Sequence, residues 1–134
     1  MASHARGTFE VTLNREPPYF ADAGATLART SIIKQFQGEL EGSSQVEMLS
    51  AGTKTKGSAG YVAIERVTGT LNGRAGTFVL QHSGSMNRGK AELTVTVVPD
   101  SGSAELTGLV GKMTIDIVEG RHFYDFDYAL GEPA

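Results

Sequence analysis

The sequence predicts an all-β fold, a single antiparallel β-barrel of about eight strands. Three observations predict it. Apolar and polar residues alternate with period two along most of the chain, and no long 3.6-residue periodicity marks a helix. Seventeen glycines against four prolines punctuate 134 residues as turn formers do, not as a proline-rich linker does. Asn72-Gly73 separates two β-rich runs, and Asn-Gly is the favoured type I′ hairpin turn because both residues take φ > 0 there. Strands in succession with no helix to cover them bury their apolar faces against each other. Closing the sheet does this and also removes its exposed edges.

The elements follow in chain order. Residues 8–15 alternate Phe9, Val11 and Leu13 with Thr8, Glu10 and Thr12, and Pro17-Pro18 stops that strand because proline cannot donate to a ladder. Residues 19–26 read as a connection with an irregular turn. Residues 27–41 alternate in their second half through Ile32, Lys34, Phe36, Gly38 and Leu40. Gly42-Ser43 reads as a turn into a short strand at 45–50, with a polar loop at 52–57. The runs 60–71 and 74–83 form the Asn-Gly hairpin. Its register sets Leu71 opposite Arg74, Val67 opposite Phe78, Glu65 opposite Leu80, Ala63 opposite His82 and Tyr61 opposite Gly84. A strand at 90–98 and a Pro99-Asp100-Ser101-Gly102 turn come next. Residues 104–118 read as one long or bulged strand broken by Gly108 and Gly111. Glu119-Gly120 then turns the chain into 122–130, with Ile117 opposite His122, Ile115 opposite Tyr124, Met113 opposite Phe126 and Lys112 opposite Asp127. The whole of 1–134 is one domain, with 1–6 and 131–134 as frayed tails.

Composition narrows the function classes. Hydrophobic residues make up 40% and charged residues 20%, enough for a packed core. A net charge of -3 with scattered basic residues argues against nucleic-acid or membrane partners. The absence of cysteine excludes disulfides, thiolate catalysis and cysteine-ligated metals. No apolar run approaches the roughly 18 residues of a membrane helix, and the N-terminus has no signal-like apolar stretch, so the expected location is cytoplasmic. Residues 84–91 nearly match a phosphate-binding loop. Ala91 stands where the magnesium-holding hydroxyl belongs, and a strand pattern follows where a helix should open. His82, His122 and Glu65 have no metal-ligand spacing, so neither metal nor cofactor is expected.

One constellation survives. The more apolar face of the hairpin carries Tyr61, Ala63, Glu65, Val67, Phe78, Leu80 and His82, and it should point inward. Glu65 and His82 are diagonal neighbours there, about 7–8 Å apart at Cα and within side-chain reach. Burial raises a carboxyl pKa and lowers that of an imidazole, while mutual attraction does the reverse; either way the pair titrates abnormally, as general acid–base groups do. The competing reading is a satisfied buried polar pair, held by Tyr61 or Tyr124, that fixes register. The expected catalytic residues are Glu65 and His82, with Tyr61, Phe78, Leu80 and Tyr124 against the substrate. Ala63, Gly69, Gly76 and Gly84 are small inner-face residues that favour residual space in the barrel.

The same hairpin carries a resemblance. Residues 60–67 (Gly-Tyr-Val-Ala-Ile-Glu-Arg-Val), 76–84 (Gly-Thr-Phe-Val-Leu-Gln-His-Ser-Gly), 97–102 (Val-Val-Pro-Asp-Ser-Gly) and 105–109 (Glu-Leu-Thr-Gly-Leu) resemble the bacterial domain-of-unknown-function family 3224. The resemblance runs from Gly7 to Leu130 and implies a barrel similar to that of allene oxide cyclases and dirigent proteins. It implies no reaction, and no catalytic residue of the plant cyclases matches this chain position by position.

The leading expectation is a cofactor-free isomerase or cyclase acting on a small, largely apolar molecule in the barrel. The alternative is a non-catalytic binding protein for such a ligand. A third reading is an assembly protein whose outer face matters, and a homo-oligomer stays open.

Overall fold

The alternation becomes nine strands in the computed structural model, which describes residues 3–131. They are β1 (Ser3–Arg15), β2 (Phe20–Asp22), β3 (Ala25–Gly38), β4 (Leu40–Gly52), β5 (Ala59–Leu71), β6 (Arg74–Asn87), β7 (Lys90–Val97), β8 (Leu109–Val118) and β9 (Arg121–Leu130). Neighbours in the sheet follow the order β1-β9-β8-β7-β6-β5-β4-β3-β2, and β1 also pairs with β3. That last pairing closes eight antiparallel strands into a barrel and leaves β2 as an extra strand on β3. Among the described residues no helix is long and apolar enough to cross a membrane.

Both hairpin registers expected from the sequence are present. Glu65 lies opposite Leu80 and Ala63 opposite His82 around Asn72-Gly73, whose φ values are 46° and 83°. Ile117 lies opposite His122 and Lys112 opposite Asp127 around Glu119-Gly120.

Four expectations are corrected. Residues 3–6 are strand, not tail: Ala5 is fully buried in phase with Phe9, and Ser3–Gly7 pair with β9. On the outer face His4 and Arg6 both reach Asp125, at 3.2 and 3.1 Å. The rest of the expected tails, residues 1, 2 and 132–134, lie outside the described residues, while the Gly131 amide donates to the Gly108 carbonyl. The connection after the prolines holds β2, because Ala23 and Gly24 take φ of 50° and 81° and fold Phe20–Asp22 back onto β3. The turn between β3 and β4 falls at Gly38-Glu39, with Gly38 at φ 116°, not at Gly42-Ser43. Gly42 is instead a ladder residue facing Gly69, where a side chain on either would strike the partner backbone. Finally, 104–118 is not one strand. Ala104–Leu106 make a short 3-10 turn, and Leu106 is fully buried at one end of the barrel.

The segment before that turn docks on β6. The Val98 and Ser103 amides donate to the Val79 and Thr77 carbonyls, and the Ser101 and Ser103 hydroxyls accept from the Val79 and Thr77 amides. This segment therefore satisfies the half of β6 that β7 does not reach.

The inner face is packed in one half. Leu40, Val67, Leu71, Phe78, Leu80, Leu106, Leu109 and Phe126 are sealed from solvent there. Phe78 stacks on Phe126 with centroids 5.8 Å apart. The other half opens into a cavity.

Candidate functional site

The register explains how the polar cluster assembles. On β5, Glu65 lies opposite Val46 of β4 and Leu80 of β6. Ser44 and His82 sit two residues along those neighbours, on the same inner face, and Lys34 of β3 lies opposite Ser44. Four adjacent strands thus each contribute one polar side chain to one point on the wall.

The contacts are short. Glu65 Oε1 accepts from Lys34 Nζ at 3.1 Å and is 2.7 Å from His82 Nε2. Oε2 accepts from the Ser44 hydroxyl at 2.5 Å. Glu65 has no exposure at all, and Lys34, Ser44 and His82 are buried. Burial pushes the Glu65 carboxyl up. The His82 hydrogen bond, the Lys34 ammonium and the Ser44 hydroxyl together outweigh it and hold the carboxyl below its ordinary value. Glu65 is therefore a carboxylate at neutral pH and only accepts, so His82 must donate through Nε2. In the neutral ring Nδ1 then carries the lone pair. Nδ1 has no partner among the described residues, and no side-chain nitrogen or oxygen there is both sealed and unpartnered. Nδ1 thus reaches open space.

His82 also lines a cavity of about 270 Å³. Its walls are Phe9, Val11, Leu13, Ile32, Val46, Met48, Ala63, Leu93, Ile115 and Ile117, and its polar members are Lys34, Tyr61, His82 and His122. Lys34 Nζ also sits 4.7 Å from the centroid of the Phe9 ring, a cation–π arrangement. Tyr61 passes over Gly84, where any Cβ would strike its ring, so the glycine makes room for the phenol. Burial and the nearby Glu65 charge push the Tyr61 hydroxyl up, so it stays protonated. A larger crevice of about 660 Å³ lies among Arg29, Glu47, Leu49, Val62, Ile64 and Gln81 and also touches Ala63, His82 and Ser83. Lys34 and Tyr61 line the smaller cavity and not this crevice.

The expected site residues divide accordingly. Glu65, His82 and Tyr61 come together at the cavity. Phe78 and Leu80 share their face but belong to the packed half. Tyr124 is occupied elsewhere: its hydroxyl accepts from the Leu40 amide at 2.9 Å and lies within donating distance of the Leu40 and Gln37 carbonyls, which pins the β3–β4 turn. Gly69 and Gly76 do not leave space, since Gly42 and Leu106 close over them. His122 lines the cavity with its ring 5.0 Å from Phe9. Among the described residues no His, Asp and Glu cluster has metal-binding geometry. Lys34 and Ser44 are the residues that sequence reasoning missed. The available signal was a lysine standing between Ile32 and Phe36 in the apolar phase of its strand.

The molecule is thus a closed antiparallel barrel with a carboxylate, an ammonium and an imidazole buried together beside an apolar cavity. The family model described as Protein of unknown function (DUF3224) matches residues 5–128, and the chain belongs to that family. It is similar to the crystal structure of a protein of unknown function from the DUF3224 family of Shewanella oneidensis MR-1. Identity is 50%, the match covers 98% of this chain and 100% of that one, and the TM-score is 0.93. No protein with a curated description matches the chain.

Proposed function

We propose that the cavity binds a small, largely apolar molecule and performs cofactor-free acid–base chemistry on it, as an isomerase or cyclase does. The observation that carries this reading is the Lys34–Glu65–His82 cluster at the cavity wall. Burying these groups costs several kcal/mol that apolar residues of similar volume would not. A structural role accounts for the Glu65 contacts. It does not account for a histidine with an unpartnered second nitrogen at the wall of an apolar cavity.

In this reading His82 Nδ1 takes a proton from the bound molecule and returns it elsewhere. Glu65 is a positioning residue: its oxygens are occupied, and it holds the ring and stabilises the imidazolium that forms, the part a buried carboxylate plays behind a catalytic histidine. Tyr61 donates a hydrogen bond to the bound molecule.

Methyl-detected NMR with naphthalene-sized apolar probes tests the cavity. Shifts confined to Val11, Ile32, Val46 and Ile115 are expected. Shifts confined to the outer Leu49, Val62 and Ile64, or none, overturn the reading. Nitrogen-15 NMR of His82 tests its orientation: the neutral ring should carry its proton on Nε2, and a proton on Nδ1 removes His82 as the base.

A further inference from the structure

We propose that the bound molecule is an enolisable carbonyl compound with an apolar body, and that Lys34 is a catalytic residue that stabilises its enolate oxygen. The proposal rests on the cavity reading above and names its substrate class.

The polar residues lining the cavity are Lys34, Tyr61, His82 and His122. Lys34 and Tyr61 are donors, and of the two imidazoles His82 is the one that Glu65 holds through Nε2, which leaves Nδ1 as the base. No carboxylate is exposed to the cavity, because both Glu65 oxygens are engaged and sealed. One base beside two donors suits a reaction that takes a proton from carbon and places negative charge on a neighbouring oxygen. Lys34 spends one N–H on Glu65 and keeps two. Its ammonium is held over Phe9, so its position is fixed before any ligand arrives.

Charge balance selects the substrate. The Lys34 ammonium is matched by the Glu65 carboxylate, so with His82 neutral the cluster carries no net charge. A ligand carboxylate would add an uncompensated charge in an apolar space. A neutral ketone or aldehyde adds none. When its α-proton moves to His82, the enolate charge and the imidazolium charge arise together, and the sum stays zero.

For a β,γ-unsaturated ketone the steps are as follows. The C–H bond between carbonyl and alkene breaks, and its proton goes to His82 Nδ1. The electron pair forms a carbon–carbon double bond as the carbonyl π electrons move to oxygen, where Lys34 and Tyr61 donate. The dienolate then takes the proton back from the imidazolium at its γ-carbon and gives the conjugated ketone. Nothing is oxidised or reduced, and no co-reactant is consumed.

The test uses 3-cyclohexenone with its anionic counterpart 3-cyclohexenecarboxylate, followed by ultraviolet absorbance of the conjugated product and by NMR in D2O. A six-membered ring fits, since a cavity of about 150 Å³ already holds benzene. The unaltered protein should convert the ketone with saturation, add the transferred hydrogen (deuterium where the imidazolium exchanges with D2O) at the γ-carbon of the product, and bind the carboxylate at least tenfold more weakly. Lys34→Met should lower kcat by about 10²–10³-fold, the usual loss for one oxyanion donor, with KM held within about threefold. Lys34→Gln, which keeps a donor for Glu65, should lose less. His82→Gln should lose about 10²–10⁴-fold. Glu65→Gln should lower kcat without raising KM. A folded Lys34→Met with unchanged turnover removes Lys34. Binding of the ketone at the cavity methyls with neither conversion nor deuterium uptake, a result that needs no variant, ends the enolisation proposal and leaves the cavity reading standing. Tighter binding of the carboxylate overturns the charge argument. No binding of either probe sinks both.

Discussion

Glu65 owes its charge to its neighbours. Burial alone would protonate it; Lys34, Ser44 and His82 keep it ionised, with Tyr61 the nearby phenol that feels its field. Its carboxyl titrates lower in the folded barrel than in the unfolded chain. The stability it contributes is therefore complete above the unfolded value near 4.3 and is lost as pH falls through the lower folded value. Glu65→Gln keeps the shape and removes the charge, leaving Lys34 buried without its counter-ion. The variant should be less stable than the parent by about 3–5 kcal/mol at neutral pH. The gap should shrink as the pH falls through the lowered folded value, because the parent carboxyl is then protonated as well. Urea melts of both proteins across that range measure the difference, and the common background from Asp125 and Glu47 cancels in it. A gap that stays constant with pH would mean that Glu65 is not the ionised partner described above.

At the scale of elements, the barrel has one thin seam. Among the described residues β7 and β8 share a single pair, Thr96 with Lys112, whereas β4 and β5 pair along their full length. Beyond it, Leu93 on β7 and Ile115 and Ile117 on β8 line the cavity instead of closing a ladder. Backbone groups without a ladder partner exchange with solvent. The β8 amides of Thr114–Val118 that point toward β7 should exchange roughly a hundredfold or more faster than those at the middle of β5. Equal protection, measured by NMR in D2O, would mean that the seam closes in solution. The two tight hairpins were legible in the sequence because Asn72-Gly73 and Glu119-Gly120 fix register locally. The β3–β4 turn was not. Gly42-Ser43 has turn chemistry, but Gly42 is needed for the close approach to Gly69, and the true corner at Gly38 is pinned by Tyr124 from the far end of the chain. That displacement hid the site as well. With the corner at Gly38-Glu39, Lys34 faces Ser44 and both fall beside Glu65; with the corner at 42–43 they do not.

On the scale of the whole molecule, the two halves of the barrel divide stability from chemistry. In one half, Phe78 stacks on Phe126 and Phe126 on Tyr128, in a buried cluster with Leu71, Leu106 and Leu109. In the other, Ile115 and Val11 have neighbours on one side and the cavity on the other. The cost of truncating a core side chain is a transfer part plus a part for the new void. Phe126→Ala opens a void where none exists and should cost about 3–5 kcal/mol. Ile115→Ala merely enlarges space already present, so it should fall near the ~2 kcal/mol lower end for such changes. Its effect should appear in the cavity instead, as weaker binding of the apolar probes that shift its methyl. Denaturant melts give the stabilities and the NMR titration gives the binding. If Ile115→Ala costs as much as Phe126→Ala and leaves probe binding unchanged, the cavity half is as tightly packed as the rest, and the barrel has no room for a ligand.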